Sequence, residues 1–431
     1  MPDSENTPVT IFTDPNAYAD LQAWHSVAAR LRKADPVCRI EVPRFEPFWA
    51  VTRHADVIEI ERQNDKFHNT IASVLQTSDQ TARMRELGPM LKTLINMDGQ
   101  EHRNYRAVTN DWFKPNNLRR TFETRIAELS RKYVDRMVEL GDECDFAMDV
   151  ARFYPLQVIM SILGVPESDE LKMLDLTQKL FGADDPDFAG GPDRQAAALA
   201  AVMDFISYFR DMTADRRAHP SGDLASTIAN GTIDGQPLDD LRTFSYYVIV
   251  ATAGHDTTSS TLAGGLEELI RNPDQIKLLQ QNPDLIDNAV EEILRYEGPV
   301  LYHRRIAKVD TVVGGFAIPA GSKVMMAFAS ADHDPALFGD DADDFKVDRP
   351  DAELHLAFGK GPHLCLGAPL GRLEARLSLE LLTTMVPDIE LVPDQAIEYS
   401  PNALFRGLKA LFVAPRGLRH AEEAGALSLA S

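Results

Sequence analysis

The sequence predicts a mainly α-helical fold with small β-sheets, and three observations predict it. Apolar residues recur at helical spacing through six long segments. Strand-like stretches are few and short. No linker separates independent halves, so residues 1–417 read as one domain, although a length of 431 residues would also accommodate two or three.

The elements follow in order. Helical periodicity marks residues 16–33, 100–113, 118–139, 166–181, 195–216 and 238–272. Strand character marks FWAVTR (48–53), TVVGGFAIPAGSKVMMAF (311–328) and ALFRGLKALFVAP (403–415). The second of these reads as a hairpin turning at Pro319-Ala320-Gly321. GADDPDFAGGPDRQ (182–195) reads as an acidic loop between two helices. Residues 418–431 read as a frayed tail.

Charge and patterning exclude several classes. The formal net charge of -22, from 66 acidic and 44 basic residues, argues against a nucleic-acid surface and against a polybasic membrane anchor. The start, MPDSENTPVTIF, has neither the basic nor the apolar region of a secretory signal. The most apolar run, YYVIVATAG (246–254), is too short to span a bilayer. A cytoplasmic protein with no nucleic-acid or membrane partner is expected.

The three cysteines, Cys38, Cys144 and Cys365, are odd in number and widely spaced, which argues against a disulfide framework. No CxxC pair exists, which argues against structural zinc. Cys38 and Cys144 fit small buried hydrophobes. Cys365 differs by its neighbours in FGKGPHLCLG (358–367). Gly359, Gly361 and Gly367 permit backbone angles and close approaches that side chains forbid, and Pro362 stiffens the loop. The following run is helical, so the sulfur sits at a helix N-terminus, where the dipole and free N–H groups favour a thiolate. Such a sulfur suits two chemistries. It could attack a substrate with His363 as its base. It could also be the lone thiolate ligand of a haem iron, with His363 serving a propionate.

The loop resembles that of the cytochrome P-450 haem-thiolate monooxygenases, whose pattern Phe358, Gly361, His363, Cys365 and Gly367 fill. The resemblance covers residues 10–415. It implies the cytochrome P-450 fold, a triangular prism of helices around a buried haem b, with Cys365 on the iron and Phe358 against the cofactor.

The family also carries Ala/Gly-Gly-x-Asp/Glu-Thr on a long helix over the iron. ATAGHDTTSS (251–260) supplies Ala253, Gly254, His255, Asp256 and Thr257. A mid-helix glycine costs roughly 1 kcal/mol relative to alanine, and the resemblance explains Gly254 as room for a diatomic ligand beside the haem. Thr257 can hydrogen-bond within the turn and open the helix. Asp256 can relay protons from water. Without the cysteine loop, the stretch would equally suit small residues packed between helices.

Glu292 and Arg295, at i and i+3 in AVEEILRYEGP (289–299), share one helix face. An exposed pair would contribute only a few tenths of a kcal/mol; in the family this pair is buried and holds the loop below the haem. Phe338, Phe345 and Arg349 match the meander before the cysteine loop. Asp332-His333 stands where the family often has Asn-Arg. Two propionates need cations or donors in a dry site. His102 and Arg106, one helical turn apart and ahead of Phe113-Lys114-Pro115, match the family's set, as do Arg305 and His363; the neighbour Arg304 is the alternative to Arg305.

A narrower likeness, in 141–182 and 246–260, is to the bacterial terpineol-hydroxylating monooxygenases. The resemblance implies a mostly apolar pocket from Leu94, Ile95, Phe181, Val250, Ala253, Val300 and Leu404, each of which would serve equally in plain core packing. Such a pocket suits a small hydrophobic substrate, a monoterpenoid or an aromatic hydrocarbon. No electron-transfer domain is fused, so the resemblance implies a 2Fe-2S ferredoxin with an NAD(P)H-dependent ferredoxin reductase. Arg103, Lys114, Arg119, Arg120, Lys360 and Arg372 flank the cysteine face and are expected to give the ferredoxin a basic patch. The alternatives are a peroxide-dependent haem hydroxylase, a non-catalytic haem sensor of the same fold, and a cysteine hydrolase that would act without haem.

Overall fold

The computed structural model describes residues 10–69, 72–87, 91–181 and 194–417. Its helices of nine residues or more are, in chain order, α1 (Leu21–Ala34), α2 (Ser78–Leu87), α3 (Gly99–Ala107), α4 (Pro115–Glu139), α5 (Tyr154–Leu163), α6 (Glu170–Phe181), α7 (Arg194–Ala218), α8 (Asp240–Ala253), α9 (Asp256–Arg271), α10 (Pro273–Gln281), α11 (Ile286–Glu297) and α12 (Ala368–Met385). The fold is mainly helical with small sheets, as the sequence predicts. The acidic stretch at 182–193 and the tail at 418–431 lie outside the described residues.

Local chemistry sets several helix starts. The carboxylates of Asp20 and Asp239 cap α1 and α8, accepting from Ala23 N at 2.9 Å and Arg242 N at 2.7 Å. Pro115 opens α4, where its missing N–H is not needed. The expected helix at 100–113 ends at Ala107 and continues as turns. The expected helix at 238–272 is two helices, α8 and α9, parted at Gly254-His255.

The largest sheet joins β1 (Val37–Ile40), β2 (Phe48–Val51), β3 (Phe67–His68), β4 (His303–Ala307) and β5 (Lys323–Met326) in the order β1-β2-β5-β4-β3. Strand β5 runs parallel to β2 and antiparallel to β4, setting Val324 beside both Trp49 and Arg305. The stretch 311–328 does not form one hairpin about Pro319-Ala320-Gly321. Thr311–Val313 instead pairs with Phe316–Ile318 across Gly314-Gly315. Those glycines take φ of +55° and +87°, which other residues adopt only under strain. Pro319–Gly321 then passes the chain on to β5 in the larger sheet. The stretch 403–415 also divides: Leu408–Ala410 pairs with Glu398–Tyr399, and Phe412–Ala414 pairs with Glu390–Leu391 and Cys144–Asp145.

The helical core is aromatic and its polar tips are matched. Tyr246 Oη meets Thr109 Oγ1 at 2.6 Å, and Tyr247 Oη donates to Ala225 O at 2.9 Å. Fully burying each large apolar side chain contributes about 1.5–3 kcal/mol. Helix α12 packs along α4 and against α9 and α11. That packing fixes the cysteine loop, at the start of α12, opposite the α8–α9 break. Among the described residues no helix is long and apolar enough to cross a membrane.

Candidate active site

The cysteine loop is held from both ends. Cys365 N donates to Phe358 O at 2.9 Å, and Leu364 N donates to Gly361 O at 3.1 Å. Gly359 and Gly361 have φ of +65° and +67°. At Gly361 a Cβ would also collide with the Glu61 carbonyl oxygen, inside the 3.0 Å that real Cβ atoms keep. Glycine is therefore required twice at this residue. Cys365 is accessible to solvent although protein surrounds it. Burial pushes its thiol up, while the amides of Gly367 and Ala368 and the guanidinium groups of Arg106 and Arg372 pull it back. The amides are the free N–H groups of the α12 terminus, as the sequence predicts.

Two carboxylates unremarked in the sequence anchor this loop. Glu61, at the end of the short helix His54–Glu61, accepts from Lys360 N at 3.0 Å and forms a buried ion pair with Arg305. Glu291 on α11 binds Arg372 on α12 through bonds of 2.6 and 2.8 Å, and meets His355 Nε2 at 3.1 Å. Burial alone would raise the Glu291 carboxyl, but His355 and Arg372 hold it down to about 2. The Arg372 guanidinium lies 4.7 Å from the Phe358 ring centroid, so this pair also fixes the first residue of the loop.

The Glu292–Arg295 pair is fully buried and bidentate, at 2.6 and 2.8 Å. Arg295 also donates to the carbonyls of Asp332 and Ala342 at 2.8 Å and of Asp344 at 3.1 Å. Arg349 Nε donates to Glu292 Oε1 at 3.1 Å and its other nitrogens tie Phe338, Asp341 and Asp344. A bidentate guanidinium with every donor used is what makes a buried charge tolerable. The pair thus staples α11 to the meander leading into the cysteine loop.

A polar cluster stands beside the cysteine. The rings of His102 and His363 lie 4.3 Å apart. Arg106, one turn beyond His102, interacts electrostatically with Cys365. Burial, then His363 and Arg106, push His102 down to about 4, so it is neutral at ordinary pH. His363 Nε2 is buried, has no hydrogen-bond partner among the described residues, and stands 3.6 Å from Asp98 Oδ1. His303 on β4 joins them: its Nδ1 is also buried and unpartnered, and burial followed by Arg305 pushes it down to about 3. His303 was legible in principle, since i and i+2 on a strand share a face with Arg305. Arg305 itself donates to Glu61 and to Arg304 O, while Arg304 donates to Ala72 O. This set fits haem b. One thiolate suits the iron, and Arg106 with orphaned imidazole nitrogens suits two carboxylates in a dry site.

Across from the sulfur, α8 ends and α9 begins. Thr257 Oγ1 donates to Ala253 O at 3.1 Å and so bridges the break with its hydroxyl. Ala253 is exposed at this inner surface. Gly254 is not: its Cβ position meets Ile159 on α5 at 2.9 Å. Close packing of two helices is thus a second reason for Gly254, beside the room expected next to the haem. The missing side chain lets α8 approach α5, and Ala253 faces the accessible side. The Asp256 side chain is half exposed, with Oδ1 2.9 Å from Nε2 of the fully buried His255. That contact is too poorly aligned to be a hydrogen bond.

The expected pocket residues divide. Ile95 is 40 % exposed, and Ala253, Val300 and Leu404 are at least partly accessible. Val300 pairs with Phe405, and Leu301 N donates to Leu404 O at 2.9 Å, which brings 300 and 404 together. Leu94 and Val250 are packed into the main core. The side chain of Phe181 lies outside the described residues. Of the expected basic patch, Arg103, Arg119 and Arg120 are exposed. Lys114 pairs with Asp111 at 2.6 Å, and Arg372 is taken by Glu291.

Comparison with known proteins agrees with this geometry. The cytochrome P450 family model matches residues 25–386. Cytochrome P450-terp from a Pseudomonas species is 38% identical over 389 residues, covering 88% of this chain and 90% of the relative. Linalool 8-monooxygenase from Pseudomonas putida is 32% identical over 405 residues, covering 93% and 97%. The crystal structure of CYP108D1 from Novosphingobium aromaticivorans superposes with a TM-score of 0.86 at 36% identity, covering 94% of this chain and 97% of that one.

Proposed function

Since the chain belongs to the cytochrome P450 family, as a haem b monooxygenase, we propose that it hydroxylates a small neutral monoterpenoid. An aromatic hydrocarbon is the second candidate. One observation carries the terpenoid reading: the kinship, along most of the chain, with Cytochrome P450-terp and with a relative named for linalool, a monoterpene alcohol. The apolar surface of Ile95, Ala253, Val300 and Leu404 supports it, since such a surface orients by shape rather than by charge.

When bound, haem b supplies the iron at which dioxygen is activated. The protein's part is to hold and to deliver protons. Cys365 would offer its sulfur to the iron, with the Gly367 and Ala368 amides acting on it. Arg106, His102, His363 and His303 would hold the propionates, and Arg305, whose terminal nitrogens donate to Glu61 and to Arg304 O, would add its charge. Thr257 Oγ1 can turn from the Ala253 carbonyl towards the accessible side and pass a proton there. Asp256, half in solvent, takes protons from water at its carboxylate and replenishes the hydroxyl.

Electrons come from a 2Fe-2S ferredoxin and its NAD(P)H-dependent reductase in the cytoplasm. Arg103, Arg119, Arg120 and Lys360 are its proposed docking cations. Against a chain of net charge -22, that patch must act locally, so Arg119→Glu and Lys360→Glu should weaken ferredoxin binding most at low salt. The test of the whole reading is turnover with a reconstituted ferredoxin and reductase, offered α-terpineol, linalool and alkylbenzenes. A hydroxylated terpenoid is expected. Products from alkylbenzenes alone would remove the terpenoid reading and leave the family assignment standing.

A further inference from the structure

We infer that His25, His333 and Asp343 form a binding site for a divalent transition-metal ion of the zinc or nickel class, separate from the Cys365 centre. The three residues come from distant parts of the chain: α1, the turn after the short helix Phe328–Ala331, and the meander that Arg295 ties down. One candidate ligand atom from each lies within 4.8 Å of the others. The two imidazoles lie face to face with ring centroids 3.9 Å apart and planes 33° apart. His333 Nδ1 stands 3.0 Å from Asp343 Oδ1. His25 Nδ1 is buried and has no hydrogen-bond partner among the described residues.

That last atom is the pointer. A buried ring nitrogen left unsatisfied costs about 1–3 kcal/mol. Two imidazoles and a carboxylate favour zinc, nickel or copper over magnesium or calcium, which prefer oxygen alone. A spread of 4.8 Å must tighten to bring three ligands to about 2.0–2.2 Å from one ion. Asp343 can move, since its side chain is 66% exposed. That exposure also leaves a path for the ion and room for water to complete its shell.

The surrounding charges do not forbid a dication. Three guanidinium groups face His25, those of Arg32, Arg406 and Arg295. Two are matched by carboxylates, Arg295 by Glu292 and Arg406 by Glu297; Arg32 donates to the neutral Ser330 O at 2.8 Å and is balanced by Asp334 and by Asp343 itself. An ion here would join α1 to the segment whose carbonyls receive Arg295, clamping the N-terminal region to the lock below the cysteine loop. The departure from the family's Asn-Arg at 332–333 supplies the second imidazole.

The test uses haem-loaded protein, freed of any affinity tag and dialysed against chelator, with zinc as the probe. Equilibrium dialysis should show one more zinc per chain in the wild type than in His25→Gln, His333→Asn or Asp343→Asn. Crystals grown with zinc should give an anomalous peak among the three side chains. Zinc should raise the unfolding temperature of the wild type and not that of Asp343→Asn, a surface substitution that keeps the fold. Equal zinc content in the wild type and Asp343→Asn would overturn the site. So would a peak only elsewhere, as at the exposed Asp215–His219 pair.

Discussion

Gly361→Ala tests whether the cysteine loop is shaped by its contact with Glu61. Two effects add at this residue. Its φ of +67° is left-handed, which costs an alanine about 1–2 kcal/mol. Its Cβ would also collide with the Glu61 carbonyl oxygen, a backbone atom that cannot rotate away, and such overpacking adds about 1–3 kcal/mol. The sum is about 2–5 kcal/mol. An unfolding entropy of about 2.1 cal/mol/K per residue over 431 residues gives about 0.9 kcal/mol per degree. The melting temperature should therefore fall by about 2–5 °C. Gly321→Ala is the control: φ is +81° but nothing lies within 4 Å of its Cβ position. It carries the backbone cost alone, about 1–2 °C. Both variants would be melted with haem bound, by circular dichroism. Because Cys365 lies four residues beyond Gly361, only Gly361→Ala should also reduce the thiolate-type spectrum of the reduced carbonyl complex. A Gly361→Ala protein no less stable than Gly321→Ala, with an unchanged spectrum, would refute the role given to Glu61.

Three further outcomes are expected. Thr257→Ala should keep consuming NADH and oxygen while product per NADH falls at least about tenfold and peroxide rises, because a positioned proton donor contributes factors of 10² or more; undiminished product per NADH would remove Thr257 from proton delivery. Glu291→Gln should destabilise by about 1–3 kcal/mol at pH 7, measured as the loss in melting temperature. Its sign with pH follows from a carboxyl held down to about 2: the stabilisation is complete above the unfolded value near 4.3 and is lost as pH falls towards 2, so the gap between variant and wild type should be constant from pH 6 to 8 and narrow below about 4.5. Gly254→Ala should be tolerated better in an Ile159→Ala background than alone, since the Cβ meets Ile159 at 2.9 Å; equal loss in both backgrounds would remove the contact with α5 as the reason for the glycine.

What the sequence made legible was local. The cysteine loop could be read because Phe358, Gly361, His363, Cys365 and Gly367 lie within ten residues of chain, and because Gly361 is needed for a backbone reason that spacing exposes. Helix α4 could be read over 118–139 from its apolar period, although it starts three residues earlier, at Pro115. The break between α8 and α9 was hidden, since the same period continues through Gly254-His255 and only the opposing helix α5 shows why the glycine is there. The hairpin was misplaced because two turn signals lie close together, and which one closes the pair depends on β5 joining the larger sheet. Glu61 and Glu291 carried no signal at all. Glu61 reaches Lys360 across 299 positions, and a carboxylate at the end of a short helix looks like any surface acid until the partner loop arrives.

The most direct test of the terpenoid reading is an optical titration of the purified ferric enzyme with α-terpineol, linalool, alkylbenzenes and fused-ring aromatics. A substrate that fills the apolar side of the site displaces water from the iron and moves the haem from low to high spin. A saturable shift with the monoterpenoids, absent or far weaker with the aromatics, is expected. A shift with aromatic hydrocarbons and none with any monoterpenoid would contradict it.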